Sequence, residues 1–189
     1  MLTSLFLQWL NKEASSARSK PGEILGSLQI QEGYAIADIG SGGGYFTLEF
    51  ARMVGRTGRV YAVDNQSRNL DFIMYRSERQ GLDNIVFVLA TGDEVNLPEA
   101  GLDLIFARNV FHHLPAPAKY FQSLKRFLKP SGKVAIIEHR PKGGLGFVAM
   151  FKHSTPVEII LREMEGAGYF LAQSFAFLPE QTFNLFGVK

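Results

Sequence analysis

Short apolar runs and amphipathic stretches take turns along this 189-residue chain. The runs Tyr34–Ile39, Arg59–Val63 and Leu102–Ala107, another from Asn84 that stops at Gly92-Asp93, and Val134–Glu138 are brief and rich in branched residues, which predicts buried strands. Helix-like spacing marks Tyr45–Val54 and Ala116–Leu128 between them. Lys129-Pro130-Ser131-Gly132-Lys133 reads as a turn leading into the fifth strand. Thr155-Pro156-Val157-Glu158 has the form of a capping box with proline at the first helical position, and Gly168 closes the helix that follows. Tyr169–Leu178 and Gln181–Val188 read as two further strands joined by Leu178-Pro179-Glu180-Gln181. Strands alternating with helices predict an α/β fold with a parallel sheet covered on both faces.

The N-terminus carries Leu2, Leu5, Phe6, Trp9 and Leu10 at helix-like spacing. This predicts a helix over Met1–Asn11 that packs on the domain or over a cofactor; membrane contact is the alternative. No basic residue precedes the apolar positions, so a signal peptide is a poor reading. The polar, serine-rich stretch Asn11–Lys20 is expected to be a flexible link, and Pro21 suits the first turn of a short helix over Gly22–Leu28. The whole chain, 1–189, is expected to be a single domain, with 1–20 as N-terminal helix and linker and 21–189 as core.

Candidate chemistry begins where the first strand meets glycine. Asp38-Ile39-Gly40-Ser41-Gly42-Gly43-Gly44 joins a strand to a helix start, where backbone N–H groups can face a polar or anionic ligand. A dinucleotide fingerprint needs a third glycine three residues after the second, to bring helix and strand together. Tyr45 occupies that place. The second strand ends in Asp64, about twenty residues beyond the glycines, where an acid can accept from both ribose hydroxyls. A third strand end carries Gly92-Asp93-Glu94.

With these motifs in order, and Leu-Lys-Pro-x-Gly before the fifth strand, the sequence resembles the class I S-adenosylmethionine-dependent methyltransferases. It is most similar to their small-molecule branch, which includes quinone-biosynthesis enzymes, and the resemblance runs from about Pro21 onward. It implies a Rossmann-like, doubly wound, mostly parallel seven-stranded sheet, completed by the C-terminal antiparallel hairpin. It also implies S-adenosylmethionine as cofactor. By the resemblance, Gly40, Gly42 and Gly44 lie near the methionine part and Asp64 holds the ribose, with Asp38, Ser41 and Asn65 also among the expected cofactor-binding residues. Gly92 and Asp93 meet the adenine amino group, with the Glu94 backbone flanking the ring. The backbone of Arg108 matches a position near the cofactor's amino group.

Composition narrows the acceptor. The chain has no cysteine, which excludes a disulfide framework, a thiolate metal site and a cysteine nucleophile, and no metal is expected. Cysteine-dependent pyrimidine methylation and thiol-dependent arsenic methylation are therefore excluded. Arg108-Asn109-Val110-Phe111 stands where methylases of amino groups on bases or glutamine carry Asn-Pro-Pro-Tyr. The net charge is +2, with basic residues scattered, so nucleic acid is not an expected partner. No apolar run approaches the ~20 residues that span a bilayer, and the expected location is cytoplasmic. Sixteen phenylalanines make an apolar acceptor pocket plausible, although most belong to the core.

The expected partner is thus a small, hydrophobic or aromatic methyl acceptor, with a homodimer left open. Methyl transfer from a sulfonium needs a general base only when the acceptor is a hydroxyl or a protonated amine. His112 after the fourth strand, and Glu138 and His139 after the fifth, are the candidate catalytic groups; His113 and Arg140 stand beside them. Lys142–His153, with three glycines and several apolar residues, is the expected acceptor lid. Two other functions stay open: a cofactor-binding partner or regulatory subunit without catalysis, and a nicotinamide-dependent oxidoreductase. The latter lacks a visible Tyr-x-x-x-Lys pair.

Overall fold

The structure is a computed structural model and describes residues 2–92, 94–141 and 154–189. Seven strands form one mixed sheet in the order β3-β2-β1-β4-β5-β7-β6. The chain divides into two compact units, Met1–Pro98 and Glu99–Lys189.

The first unit contains β1 (Ala35–Ile39), β2 (Arg59–Asp64) and β3 (Ile85–Leu89), all parallel. Ile36 pairs with Val60, Ile39 with Val63, and Asp64 with Leu89, so the acid ending β2 is fixed by register. Helix α1 spans Leu2–Ala14 and α2 spans Pro21–Ser27. Helix α3 (Tyr45–Val54) crosses from β1 to β2, burying Phe46, Leu48, Phe50, Ala51 and Val54 at helical spacing. Helix α4 (Ser67–Glu78) crosses from β2 to β3 with only Leu70, Ile73 and Ser77 buried. Leu48, Ala62, Leu70 and Ile73 form a core against which Leu82, Ile85 and Phe87 pack. Residues 11–20 differ from the expected link. α1 continues to Ala14, and a 3-10 turn at Ala17–Ser19 is capped by the Ser16 side chain. Ser19 is buried and its hydroxyl donates to the Glu13 carbonyl at 2.7 Å. Local serine hydrogen bonds have ordered a segment whose composition suggests a linker.

The second unit contains β4 (Leu102–Arg108), β5 (Leu128–His139), β6 (Tyr169–Phe175) and β7 (Gln181–Val188). β4 and β5 are parallel, while β7 runs antiparallel to both β5 and β6. Helix α5 covers Pro117–Leu124, shorter than expected because the chain tightens into a 3-10 turn at Lys125–Phe127. The expected turn at Lys129–Lys133 is instead part of β5. Leu102 pairs with Leu128 and Leu104 with Lys133, so Pro130, Ser131 and Gly132 are taken up in a bulge. Helix α6 spans Val157–Gly166, one residue later than the capping box predicts. Pro156 is its N-cap, with no side-chain capping bond. Buried Tyr169 donates its hydroxyl to the Phe121 carbonyl at 2.9 Å, joining β6 to α5. No helix among the described residues is long and apolar enough to cross a membrane.

Candidate functional site

The glycine turn is held mainly by its own backbone. Gly40 and Ser41 N–H both donate to the Val63 carbonyl, at 2.8 and 3.0 Å, and Gly44 N–H donates to the Ser41 carbonyl at 2.8 Å. Gly42 N–H donates to Asp64 Oδ2 at 2.9 Å. Most of the donors expected to face a ligand are therefore spent inside the protein. A pyrophosphate would need such donors turned toward it. A ligand read through its ribose, with no phosphate, does not.

Asp64 anchors this arrangement. Its Oδ1 accepts from Gln66 N–H at 2.9 Å and from Asn69 Nδ2 at 3.1 Å, while Oδ2 takes Gly42. A carboxylate has about four lone-pair sites, so roughly one remains for a ribose hydroxyl in place of the two expected. Asn65, next in the chain, is exposed.

Asp38 is buried on the neighbouring strand, β1. Thr47 on α3 donates its hydroxyl to Asp38 Oδ2 at 2.5 Å. Burial pushes this carboxyl up to about 7; the Thr47 hydrogen bond opposes the shift and the Asp64 charge adds to it. The Ser41 hydroxyl is also buried and has no hydrogen-bond partner among the described residues.

The glycines also make room for protein. A Cβ on Gly43 would lie 2.6 Å from the Leu7 carbonyl oxygen and from Asn11 Oδ1, both on α1. A Cβ on Gly44, where φ is +77°, would lie 2.6 Å from Ile73 on α4. Asn11 Nδ2 donates to the Gly43 carbonyl at 2.6 Å, and the Leu10 side chain reaches within 3.6 Å of where a Gly42 Cβ would be. The N-terminal helix thus seats on the glycine turn through Leu7, Leu10 and Asn11. Its other face leaves Leu5, Phe6 and Trp9 more than half exposed, with the Phe6 and Trp9 rings stacked.

At the third strand end, Gly92 (φ +61°) turns the chain, and Thr91 N–H donates to the Glu94 carbonyl at 3.1 Å. Asp93 lies outside the described residues, as does the expected lid, Lys142–His153.

In the second unit, the ends of β4, β5 and β7 bring polar groups together. Glu138 is fully buried on β5, opposite Thr182 of β7. Its Oε1 accepts from His139 N–H and from His112 Nδ1, both at 2.9 Å, and Oε2 accepts from His112 N–H at 3.3 Å. Backbone N–H groups only donate, so the carboxyl is an acceptor here and the Nδ1 contact reads as donation from the ring. His112 lies in a 3-10 turn at Phe111–His113, its ring 4.0 Å from that of exposed His113. Beside this group, Arg108 Nη2 donates to Gln181 Oε1 at 3.0 Å, and Gln181 Nε2 donates to Asn109 Oδ1 at 2.6 Å. Arg140 Nε donates to the Gln181 carbonyl at 3.2 Å. His139 is pushed below its ordinary range chiefly by burial, with Arg108 and His112 adding and Glu138 and Glu180 opposing.

A family model described as a methyltransferase domain matches residues 30–175, which contain the glycine turn and the His112–Glu138 pair. The chain belongs to the methyltransferase domain family. The family's methyl donor, S-adenosylmethionine, is its cofactor. The ubiquinone/menaquinone biosynthesis C-methyltransferase of Psychromonas ingrahamii is 29% identical over 110 residues, covering 58% of this chain and 44% of that enzyme. The Escherichia fergusonii enzyme of the same name is 27% identical over the same shares. The matched region is thus under half the length of these curated relatives. The crystal structure of a SAM-dependent methyltransferase from Aquifex aeolicus is similar with a TM-score of 0.81 and 24% identity, over 97% of each chain. That likeness shows the fold, a Rossmann-like methyltransferase sheet ending in an antiparallel hairpin.

The first unit fits this cofactor on its own geometry. It offers a strand-end carboxylate with acceptor capacity left, a buried hydroxyl without a partner, and a glycine turn whose donors are not aimed at an anion. The unit brings together Asp38, Gly40, Ser41, Gly42, Gly44 and Asp64. The second unit brings together His112, Glu138 and His139, and places Arg108 beside Gln181. Asn11, Thr47, Asn69, Asn109 and Gln181 join these groups without any sequence motif. Asn109 had one signal, an asparagine directly after a strand. Its φ of +56° is a left-handed conformation that asparagine tolerates better than most residues.

Proposed function

We propose that the protein transfers a methyl group from S-adenosylmethionine to a small, hydrophobic or aromatic acceptor by in-line displacement. The observation that carries the cofactor part is the Asp64–Gly42 clamp: a ribose-reading carboxylate tied to a turn whose N–H groups are bonded internally. The acceptor class is supported by the partial relatives, which are ubiquinone/menaquinone biosynthesis C-methyltransferases. In this reading Asp64 takes a ribose hydroxyl, and Ser41 and Asp38 stand at the methionine end. Gly92, Asp93 and Glu94 flank the adenine, and Arg108 approaches the amino group. When bound, the cofactor supplies an electrophilic methyl on a sulfonium. The chain's task is to hold the acceptor in line and exclude water, which provides much of the acceleration in such displacements.

Calorimetry with S-adenosylmethionine and S-adenosylhomocysteine tests the cofactor assignment, beside a thermal-shift comparison with NADH. Binding of both sulfur ligands with no NADH shift is expected. NADH stabilisation without either sulfur ligand would reject the assignment. Turnover of methyl-labelled cofactor with a metabolite extract then separates an enzyme from a non-catalytic binding subunit.

A further inference from the structure

We propose that α1 docks this protein on an anionic lipid surface, with Leu5, Phe6 and Trp9 entering the boundary between headgroups and acyl chains. This docking is independent of the methyl-transfer reading and concerns the first unit alone.

The two sides of α1 face different surroundings. Leu7 is buried, and with Leu10 and Asn11 it forms the seat on the glycine turn. At about 3.6 residues per turn, Leu5 and Trp9 each fall about 160° around the helix axis from Leu7. On a surface helix that outward side is where polar residues belong. Here Leu5 and Trp9 occupy it with Phe6 beside them, each more than half exposed, and the Phe6 and Trp9 rings stack with centroids 5.9 Å apart. Single exposed apolar residues are ordinary, whereas neighbouring large ones on one side mark a contact surface. α1 is therefore apolar on both sides, and the described residues cover the side that carries Leu7.

Charge decides what covers the other side. Residues 1–20 carry Lys12, Arg18 and Lys20 against Glu13, a net charge of +2 that equals the charge of the whole chain. Lys12 and Arg18 are exposed, while Lys20 is paired with Glu23 on α2 at 3.0 Å. Arg76 of α4 reaches the Gly43 carbonyl at 3.5 Å, the same oxygen that Asn11 takes, which adds a cation beside the C-terminal half of α1. Lys12 lies three residues after Trp9 and seven after Leu5, so it flanks the apolar side. Its stem can lie along lipid while its ammonium stays among headgroup phosphates. Aromatic and leucine side chains rimmed by cations are the pattern of a helix lying in an anionic interface. A second copy fits less well. A two-fold contact sets this side against itself and offers its cations no acid within residues 1–20 but Glu13. Glu13, four residues after Trp9, opposes docking on an anionic surface.

The test is flotation of the full chain with vesicles of phosphatidylcholine, with and without about 30% phosphatidylglycerol. The protein should rise with the anionic vesicles and several-fold less with the neutral ones, and raised salt should release it. Trp9→Ser should lower the partition coefficient by about tenfold or more. Lys12→Gln should lower it by about fivefold, and Glu13→Gln should raise it by a similar factor. The Glu13 variant reads a gain, so a folding defect cannot imitate the expected result. Its side chain is exposed in the last turn of α1, where helix carbonyls disfavour an acid. Sedimentation of the same proteins without vesicles separates the other occupants. Failure to float with anionic vesicles overturns the proposal: a dimer that Trp9→Ser dissolves would assign the surface to a second copy, and a monomer would assign it to a protein partner. Equal flotation of Trp9→Ser and the parent protein, or weaker flotation of Glu13→Gln, overturns it as well.

Discussion

Asp38 and Asp64 end neighbouring strands and differ in how burial treats them. Asp38 has Thr47 as its hydroxyl donor and little water, and its carboxyl is pushed up to about 7. The folded state then holds a proton that the unfolded chain, with an ordinary carboxyl near 3.8, has lost. Folding stability contributed by this group is present below the unfolded value and is lost as pH rises toward 7. The span is on the order of 4 kcal/mol as an upper bound. Asp38→Asn, which cannot titrate, should therefore gain melting temperature relative to the parent protein between pH 4 and 7; parallel melting profiles would refute the shift. Asp64 plays a different part because its acceptors serve the fold as well as the proposed ribose contact. Asp64→Asn turns an amide NH₂ toward one of the donors it now satisfies, costing about 1–3 kcal/mol. It should also weaken S-adenosylhomocysteine at least tenfold and speed hydrogen exchange at the Gly42 amide. Weakened ligand with an unchanged Gly42 amide would show that the clamp is not what orders the turn.

At the scale of elements, the seat of α1 on the glycine turn explains glycine at position 43 better than ligand contact does. Gly43→Ala would push on the Leu7 carbonyl and on Asn11, and α1 should lift. Limited proteolysis within residues 1–20 should then accelerate, whereas Asn11→Ala alone should cost only about 1 kcal/mol. Equal proteolysis of the Gly43→Ala and parent proteins would mean the turn yields instead. Much of the strand framework was legible in the sequence, because short buried strands between glycine turns leave a strong pattern. The bulge in β5 was not. Pro130 and Gly132 carry a turn signal that local reading cannot separate from a bulge, since only pairing with Leu102 and Leu104 decides it. α4 was faint because only Leu70, Ile73 and Ser77 are buried along it. The order in residues 11–20 was hidden because Ser16 and Ser19 bond to nearby backbone, whereas composition counts them as solvent-loving. In the site, Asp64 and Glu138 stood out as acids ending strands. Gln181 could not, since only the register of β5 and β7 sets it opposite His139.

For the molecule as a whole, the two units carry pH responses of opposite sign. Asp38 in the first unit removes stability as pH rises toward 7. His139 in the second, pushed down chiefly by burial, does the reverse. The unfolded chain binds a proton at this position near 6.5 that the folded state resists, so stability is lost as pH falls below that value. His139→Gln should flatten the acid side of the melting profile and leave the neutral side unchanged. A flattened neutral side would assign the titration elsewhere.

The seat of α1 has one more consequence, for observation. Trp9 is the chain's sole tryptophan, and it is half exposed on the helix whose next two residues, Leu10 and Asn11, touch the glycine turn. The protein therefore contains a label-free optical reporter within one helical turn of the residues that touch the glycine turn. Its emission should change in colour or intensity as S-adenosylhomocysteine is titrated in, and should stay constant with NADH. If so, cofactor arrival can be timed by stopped-flow fluorescence before any acceptor is known.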